Sequence, residues 1–310
     1  MLHTVTLNPA LDKTATVGGF AIDAVNRITE LREDAGGKGI NVSKVCAKLG
    51  TASLAHMLLA GQTGKKIEQA IQAMGIEARA FEVAGETRTN LKIVDPRNHT
   101  NTDVNEPGPQ VSATELAAFA KHLTDGVSQG DVVVLAGSLP KGASEDAYAL
   151  LVQSLRSLGA KVFLDADGEP LRRALKARPY LIKPNDHELA GLVGHELKNV
   201  GEIVDAAKEL VGSGIERVVV SMGGEGALFV TAERVLFAHA PKVKVGSTVG
   251  AGDSVVAALA HAEGLGMPLE EAARLAVATG SANVMCSGTQ AAELEAVQGL
   301  IDQVTIEELA

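Results

Sequence analysis

Apolar positions along the chain follow two rhythms. Short, nearly uninterrupted apolar runs predict buried strands at Leu2–Leu7, Ser53–Leu59, Val132–Ala136, Val162–Asp165, Tyr180–Ile182 and Arg217–Ser221. Between them apolar residues recur at helical spacing, predicting helices at Ile40–Leu49, Lys65–Met74, Thr114–Leu123, Glu145–Leu158, Val200–Val211, Asp253–Glu263 and Leu269–Val284. Two helix starts are marked: Ser112-Ala113-Thr114-Glu115 reads as a capping box, and Pro268 precedes a Leu-Glu-Glu opening. Strands alternating with amphipathic helices predict an α/β fold, a wound and mostly parallel sheet with helices on both faces.

Two stretches break the alternation. Lys13–Asp34 and Thr87–Asn105 read as extended and partly alternating, with Gly18-Gly19 and Pro96 as punctuation and no helical period. Consecutive strands without a helix between them predict a small separate β-sheet, a lid built from two excursions that meet in space. The expected organisation is a core of residues 1–12, 35–86 and 107–310, with lid excursions at 13–34 and 87–106.

Composition narrows the function. Of 310 residues, 46% are hydrophobic and 21% charged, ample for a continuous core and incompatible with disorder. Aromatics make up only 3% and the formal net charge is −10, so neither base stacking nor phosphate-backbone attraction is provided for, and no nucleic-acid partner is expected. An acidic protein that handles anions must gather its positive charge locally. Cys46 and Cys286 are too few for a disulfide framework or a Cys-based zinc site and fit a reducing compartment. No run approaches the roughly 20 apolar residues of a membrane helix. The first residues show neither a basic nor an uninterrupted apolar leader segment. The expectation is an unprocessed cytoplasmic protein with no membrane partner.

Three glycine-rich turns are candidates for anion binding. Val249-Gly250-Ala251-Gly252-Asp253-Ser254 opens an apolar helix, where converging backbone N–H groups and the helix dipole attract phosphate. Asp253 beside it suits a general base for an attacking hydroxyl, or equally an N-cap. Gly36-Gly37-Lys38-Gly39-Ile40-Asn41 permits close backbone approach and supplies a charge and an amide for a phosphorylated polyhydroxy ligand, unless it is a plain loop-to-helix turn. Ser221-Met222-Gly223-Gly224-Glu225-Gly226 follows a strand, where wound sheets bind ligands, and also reads as a hairpin turn into Ala227–Val230. Asn185 and Glu188 suit either a hydrated Mg²⁺ or a capping box. Asp12, just past the first strand, suits sugar hydroxyls or is a solvated loop acid.

Other motifs fail. Gly61-Gln62-Thr63-Gly64-Lys65-Lys66 has the wrong spacing for a Walker A loop and no Ser or Thr after the lysine. No Gly-x-Gly-x-x-Gly follows a strand, which removes the main support for a dinucleotide oxidoreductase. His-Glu-x-x-His and Gly-x-Ser-x-Gly are absent.

Taken in order, Asp12, Gly36 to Asn41, Thr87-Arg88-Thr89-Asn90, Gly137-Ser138-Leu139-Pro140, Lys183-Pro184-Asn185 with Glu188, and Ser247 to Asp253 resemble the ribokinase-like, PfkB-type carbohydrate kinases over essentially the whole chain. The resemblance implies a β lid that contributes to a homodimer, and Mg²⁺-dependent transfer of phosphate from ATP to a sugar phosphate. Fructose 1-phosphate is the expected acceptor, with tagatose 6-phosphate and fructose 6-phosphate as alternatives. It further implies Asp253 as base, with the Gly250, Ala251 and Gly252 amides holding the migrating phosphoryl. Asp12, Gly37, Lys38, Asn41 and Ser138 would hold the sugar, with Arg88 and Arg27 near its phosphate. Ser221, Gly223, Gly224, Glu225, Gly226 and Gly252 would line the ATP site. Lys183, Asn185 and Glu188 would serve its phosphates and metal. Ser247 stands where ribokinase-type members carry an acid associated with a monovalent-cation site, so a potassium requirement is not carried over. A non-catalytic sugar sensor is the rival from another class, and retention of Asp253 beside the glycines speaks against it.

Overall fold

The computed structural model describes residues 1–286 and 290–309. The chain begins with β1 (Leu2–Thr6), then β2 (Ala10–Thr16) and β3 (Glu30–Gly36), followed by α1 (Lys38–Lys48), β4 (Leu54–Leu59), α2 (Gly61–Ala73) and β5 (Glu77–Glu82). A second all-β passage gives β6 (Arg88–Asp95) and β7 (Thr100–Asn105). Next come α3 (Ala113–Thr124), β8 (Val132–Ala136), α4 (Ala147–Ser157), β9 (Lys161–Asp165), α5 (Gly168–Ala174), β10 (Leu181–Ile182), α6 (Asp186–Val193) and α7 (Val200–Gly212). The last part holds β11 (Arg217–Ser221), β12 (Gly226–Val230), β13 (Val235–His239), α8 (Ala251–Leu265), α9 (Leu269–Val284), α10 (Leu294–Ile301) and β14 (Thr305–Leu309).

Ten strands form one sheet in the order β14-β13-β12-β11-β10-β9-β8-β1-β4-β5. From β5 to β11 neighbours run parallel, and β12, β13 and β14 extend the sheet antiparallel. The central strands are apolar throughout because both faces are covered. Val133 and Leu135 of β8 join the core under α3 to α7, while Val132, Val134 and Ala136 join the core under α1, α8, α9 and α10. Period-two alternation therefore sorts one apolar run between two cores. α3 starts on the expected capping box, with Ser112 Oγ accepting from Glu115 N at 3.2 Å. Among the described residues no helix is long and apolar enough to cross a membrane.

The two extended stretches meet in a separate four-stranded sheet, β3-β2-β6-β7, in which β2 and β6 pair in parallel with Asp12 opposite Asn90. At its root Leu11 and Ala35 join Ile40, Met57, Leu59, Ile67 and Ile71 in a third apolar cluster that fastens it to α1, α2 and β4. β5, β13, β14, α5 and α10 escaped the sequence reading. β14, Thr-Ile-Glu-Glu-Leu, is an edge strand whose acidic residues hide its period and guard its free edge.

Two glycines let α1 approach β1. Gly37 caps α1 at φ +121°, and a side chain on Gly39 would lie 2.5 Å from Thr6 Oγ1 and 2.6 Å from the Val5 carbonyl. A backbone carbonyl cannot rotate aside, so Gly39→Ala should cost about 1–3 kcal/mol in urea unfolding. Gly191→Ala, inside α6 with open space around it, should be neutral or stabilising by up to about 1 kcal/mol. Equal effects at the two positions would remove the packing explanation.

Candidate active site

The parallel strands deliver their carboxyl ends to one edge of the sheet, and the N-termini of α1 and α8 face the same edge. Gly250, in left-handed conformation at φ +83°, is the N-cap of α8, and no side chain caps this helix. The first-turn amides, which lack acceptors inside a helix, thus remain available to an anion. Asp253 is not a cap. It sits in the first turn, 7% exposed, and its Oδ2 accepts from Asn41 Nδ2 at 2.8 Å, joining α8 to α1 across 212 residues of sequence. Burial first, then the nearby Asp165, pushes its carboxyl up to about 6, against the opposing Asn41 hydrogen bond and the charges of Lys38 and Lys183.

Asp165, the last residue of β9 and 3% exposed, was missed by the sequence reading, although a carboxylate ending a buried parallel strand is a signal in itself. Its Oδ1 lies 3.4 Å from Lys38 Nζ and 3.6 Å from Lys183 Nζ. Lys183 follows β10, and its ammonium lies 3.2 Å from where a side chain on Gly252 would begin, directly over the α8 turn. Burial works against the charge of Lys38, but Asp165, Asp253 and Glu188 outweigh it and hold the ammonium above its usual range. Lys38 and Lys183 therefore both flank Asp165, with Lys183 over the α8 turn.

On one side lies a polar recess between the sheet edge and the β2–β6 ribbon. Asp12 Oδ1 accepts from Asn90 Nδ2 at 2.9 Å. Burial raises its carboxyl, with the Asn90 hydrogen bond and the charges of Lys44 and Arg88 opposing. Arg88 Nη2 donates to the Asn8 carbonyl at 2.9 Å, and Asn8 Nδ2 reaches Ser138 Oγ and the Leu139 carbonyl, each at 3.3 Å. Among the described residues five buried side-chain polar atoms lack any partner, and four are here: Asn8 Oδ1, Asn41 Oδ1, Arg88 Nε and Asn90 Oδ1. Such atoms are costly unless something completes them. Asn8 and Asn90 were not singled out as site residues, since an isolated asparagine carries no signal in sequence.

On the other side of the α8 turn is a cavity of about 730 Å³, the size of a small-molecule site. Asn185, Ser221, Gly223, Gly224, Gly226, Ala251 and Gly252 give it a polar, glycine-rich rim, and Val243, Val255, Val277 and Val284 an apolar wall. Glu225 is exposed and does not line it; its carbonyl accepts from Ala240 N at 3.1 Å and shapes the turn. Asn185 and Glu188 do form a reciprocal capping box at α6, with Asn185 Oδ1 accepting from Glu188 N at 2.7 Å. Among the described residues no cluster of three or more metal-ligating His, Cys, Asp or Glu assembles. Few protein ligands and several waters suit Mg²⁺, and Asp165 and Glu188 offer it oxygen donors.

Arg27 stands apart. It is exposed in the loop joining β2 and β3 and has no hydrogen-bond or ion-pair partner among the described residues. The loop leaves β2 after Thr16, about 14 Å of strand beyond Asp12. Gly37, by contrast, is placed by close packing on Thr6 and Pro9, so its conformation serves the fold whatever it binds. Ser247 lies outside the acceptor recess and accepts from Val249 N at 3.3 Å.

Residues 6–296 match the model of the pfkB family carbohydrate kinase. The chain is 39% identical to the 1-phosphofructokinase of Bacillus subtilis over the full length of both. It is 44% identical to that of Rhodobacter capsulatus over 89% of this chain and 88% of the relative. Its fold matches the crystal structure of phosphofructokinase-2 from Escherichia coli in complex with potassium at a TM-score of 0.94, with 32% identity, 97% of this chain and 98% of that chain covered.

A carboxyl held above its unfolded pKa loses stability as it ionises: the cost is absent below about pH 4 and complete above about pH 6. Asp253→Asn, which keeps an oxygen for Asn41, should therefore raise stability by about 1–3 kcal/mol at pH 7.5 and by almost nothing at pH 4. Urea titrations at the two pH values check this, and a gain of equal size at both would contradict the burial argument.

Proposed function

This chain belongs to the pfkB family of carbohydrate kinases, and we propose that it transfers the γ-phosphoryl group of ATP to the 6-hydroxyl of fructose 1-phosphate. The observation that carries the reading is the position of Asp253, buried at the α8 anion turn where the apolar-walled cavity meets the recess of orphaned polar groups. A nucleotide in the cavity would direct its phosphates along Lys183 to the α8 amides. A sugar in the recess would satisfy Asn8, Asn41 and Asn90, with Asp12 accepting from its hydroxyls and Arg88 facing its phosphate. Asp165, Asn185 and Glu188 would hold a hydrated Mg²⁺, which supplies positive charge to the nucleotide's phosphate oxygens.

Attack then needs three things from the protein. The acceptor hydroxyl must lose its proton as the O–P bond forms, and Asp253 Oδ1, unengaged while Oδ2 holds Asn41, takes it. The migrating phosphoryl must meet positive potential, which the α8 turn, Lys38 and Lys183 provide. Water must be excluded, and the β2–β6 ribbon over the recess is placed to do this.

The same ribbon carries the exposed apolar residues Ile22, Val25, Ile28, Leu31 and Val104. A second copy of the chain packed on this sheet would cover them, and Arg27, between Val25 and Ile28, would serve the acceptor's phosphate only across that interface. ATP as donor and two unpaired cysteines fit the cytoplasm.

ADP release measured over fructose 1-phosphate, fructose 6-phosphate, tagatose 6-phosphate and ribose should give the highest kcat/KM for fructose 1-phosphate. A clear preference for another acceptor would replace it. Asp253→Asn should lower kcat by roughly a hundred- to ten-thousand-fold. In the unmodified protein kcat should fall as pH drops through about 6, where Asp253 takes up a proton. A variant with near-normal turnover would dismiss Asp253 as the base.

A further inference from the structure

The face of α1 turned toward the cleft carries Lys38, Asn41 and, one turn on, Lys44. The first two meet Asp165 and Asp253. Lys44 belongs to neither substrate pocket, yet its charge acts on Asp12: its Nζ donates to the Ala35 carbonyl at the end of β3, and burial pulls its ammonium below the usual range while Asp34, Asp12 and Asp253 work to hold the charge, with Arg32 opposing. Asp12 and Asp34 lie directly opposite one another on β2 and β3, a like-charge pair on adjacent strands. Asp34 has Arg32 Nε at 2.7 Å, whereas Asp12 has only the neutral Asn90 as a hydrogen-bond partner. β3 is the outer strand of its sheet and runs straight into α1 through Gly36 and Gly37. Beside the apolar cluster at the ribbon's root, one charged side chain thus links ribbon and core below the two carboxylates.

We propose that Lys44 is a positioning residue of the acceptor site, the cation that fastens the root of β3 to α1 and offsets the Asp12–Asp34 pair so that Asp12 meets sugar hydroxyls as a carboxylate. The inference rests on the acceptor recess proposed above. Its groups on each surrounding element are Asp12 on β2, Arg32 and Asp34 on β3, Arg88 on β6, and Asp253 on α8. Burial already raises Asp12 and only Lys44 and Arg88 supply opposing charge, so loss of Lys44 moves Asp12 higher still. The defect must then be largest at low pH and shrink as pH rises.

The test compares Lys44→Met, which keeps the apolar stem, with Lys44→Arg, which keeps the charge. For Lys44→Met the KM of whichever sugar phosphate the unmodified enzyme turns over should rise severalfold, and by more at the acid end of the activity range than at its alkaline end. The KM for ATP should stay within twofold, and Lys44→Arg should restore the acceptor KM. A KM ratio flat with pH, equal rises for both substrates, or no rescue by arginine would overturn the proposal. If Lys44→Met does not fold, Lys44→Met combined with Asp34→Asn should fold and bind acceptor, because the repelling partner is gone; failure of that pair also overturns it. If the unmodified protein phosphorylates none of the sugars, the proposed function fails separately. Amide hydrogen exchange over residues 33–41 then decides: faster exchange in Lys44→Met but not in Lys44→Arg supports the fastening, and unchanged exchange refutes it.

Discussion

Everything at this site turns on keeping negative charges together in a place that water leaves. The protein is already acidic, at −10, and its cleft adds Asp12, Asp165, Asp253 and Glu188 before any phosphate arrives. The compensation is unevenly distributed, and the unevenness is what makes the chemistry workable. Asp165 faces two ammonium groups, those of Lys38 and Lys183. Asp253 takes its hydrogen bond from a neutral amide. An ammonium in the place of Asn41 would hold that carboxyl low and leave it a poor base, whereas the amide orients it and lets burial keep it basic.

The fold supplies this corner through backbone alone in several places. Parallel strands bring Asp165, Lys183 and Ser221 to one edge, and the α1 and α8 N-termini approach it because glycine occupies the contact points. Gly39 lets α1 lie on β1, and Gly252 leaves the space that the Lys183 ammonium fills. Since α1 follows directly on β3, any displacement of the four-stranded ribbon is felt at Lys38 and Asn41, which meet Asp165 and Asp253. Ribbon, helix and base are therefore mechanically continuous, with no flexible linker between them.

The wound core was legible in the sequence wherever a strand is buried on both faces. Val132–Ala136 and Arg217–Ser221 emerge with the bounds their apolar runs predict, as does the helix Leu269–Val284 behind its proline. β5, β13 and β14 were not, and at the two sheet edges the reason is that β5 and β14 mix charges into their pattern. The parts of the site with local signatures, the three glycine turns and the Asn185 capping box, were equally readable. Asp165, Asn8 and Asn90 were not: their meaning lies in partners far along the chain, and the hydrogen bond between Asn41 and Asp253 is invisible until α1 and α8 are laid side by side. Arg27 shows the converse. Resemblance alone pointed it to the acceptor, and its loop lies past the end of β2 that is remote from Asp12.

The orphaned groups give the recess its thermodynamic character. Four partnerless buried polar atoms, at about 1–3 kcal/mol each, and an ionised Asp253 together represent a cost comparable to much of the net stability of an ordinary domain, about 5–15 kcal/mol. Packing in the three apolar clusters must carry whatever part of that cost water in the recess does not relieve. A polyhydroxy ligand whose hydroxyls complete Asn8, Asn41 and Asn90 relieves it, so binding energy there exceeds what the ligand's small apolar area would provide. The discrimination follows the same logic: a sugar lacking one hydroxyl leaves an amide unpaired in a dry site and forfeits the whole desolvation penalty, where an apolar pocket would lose only a fraction of a contact. Selectivity for an acceptor bound there would therefore be built from the same groups that are costly to leave unpaired.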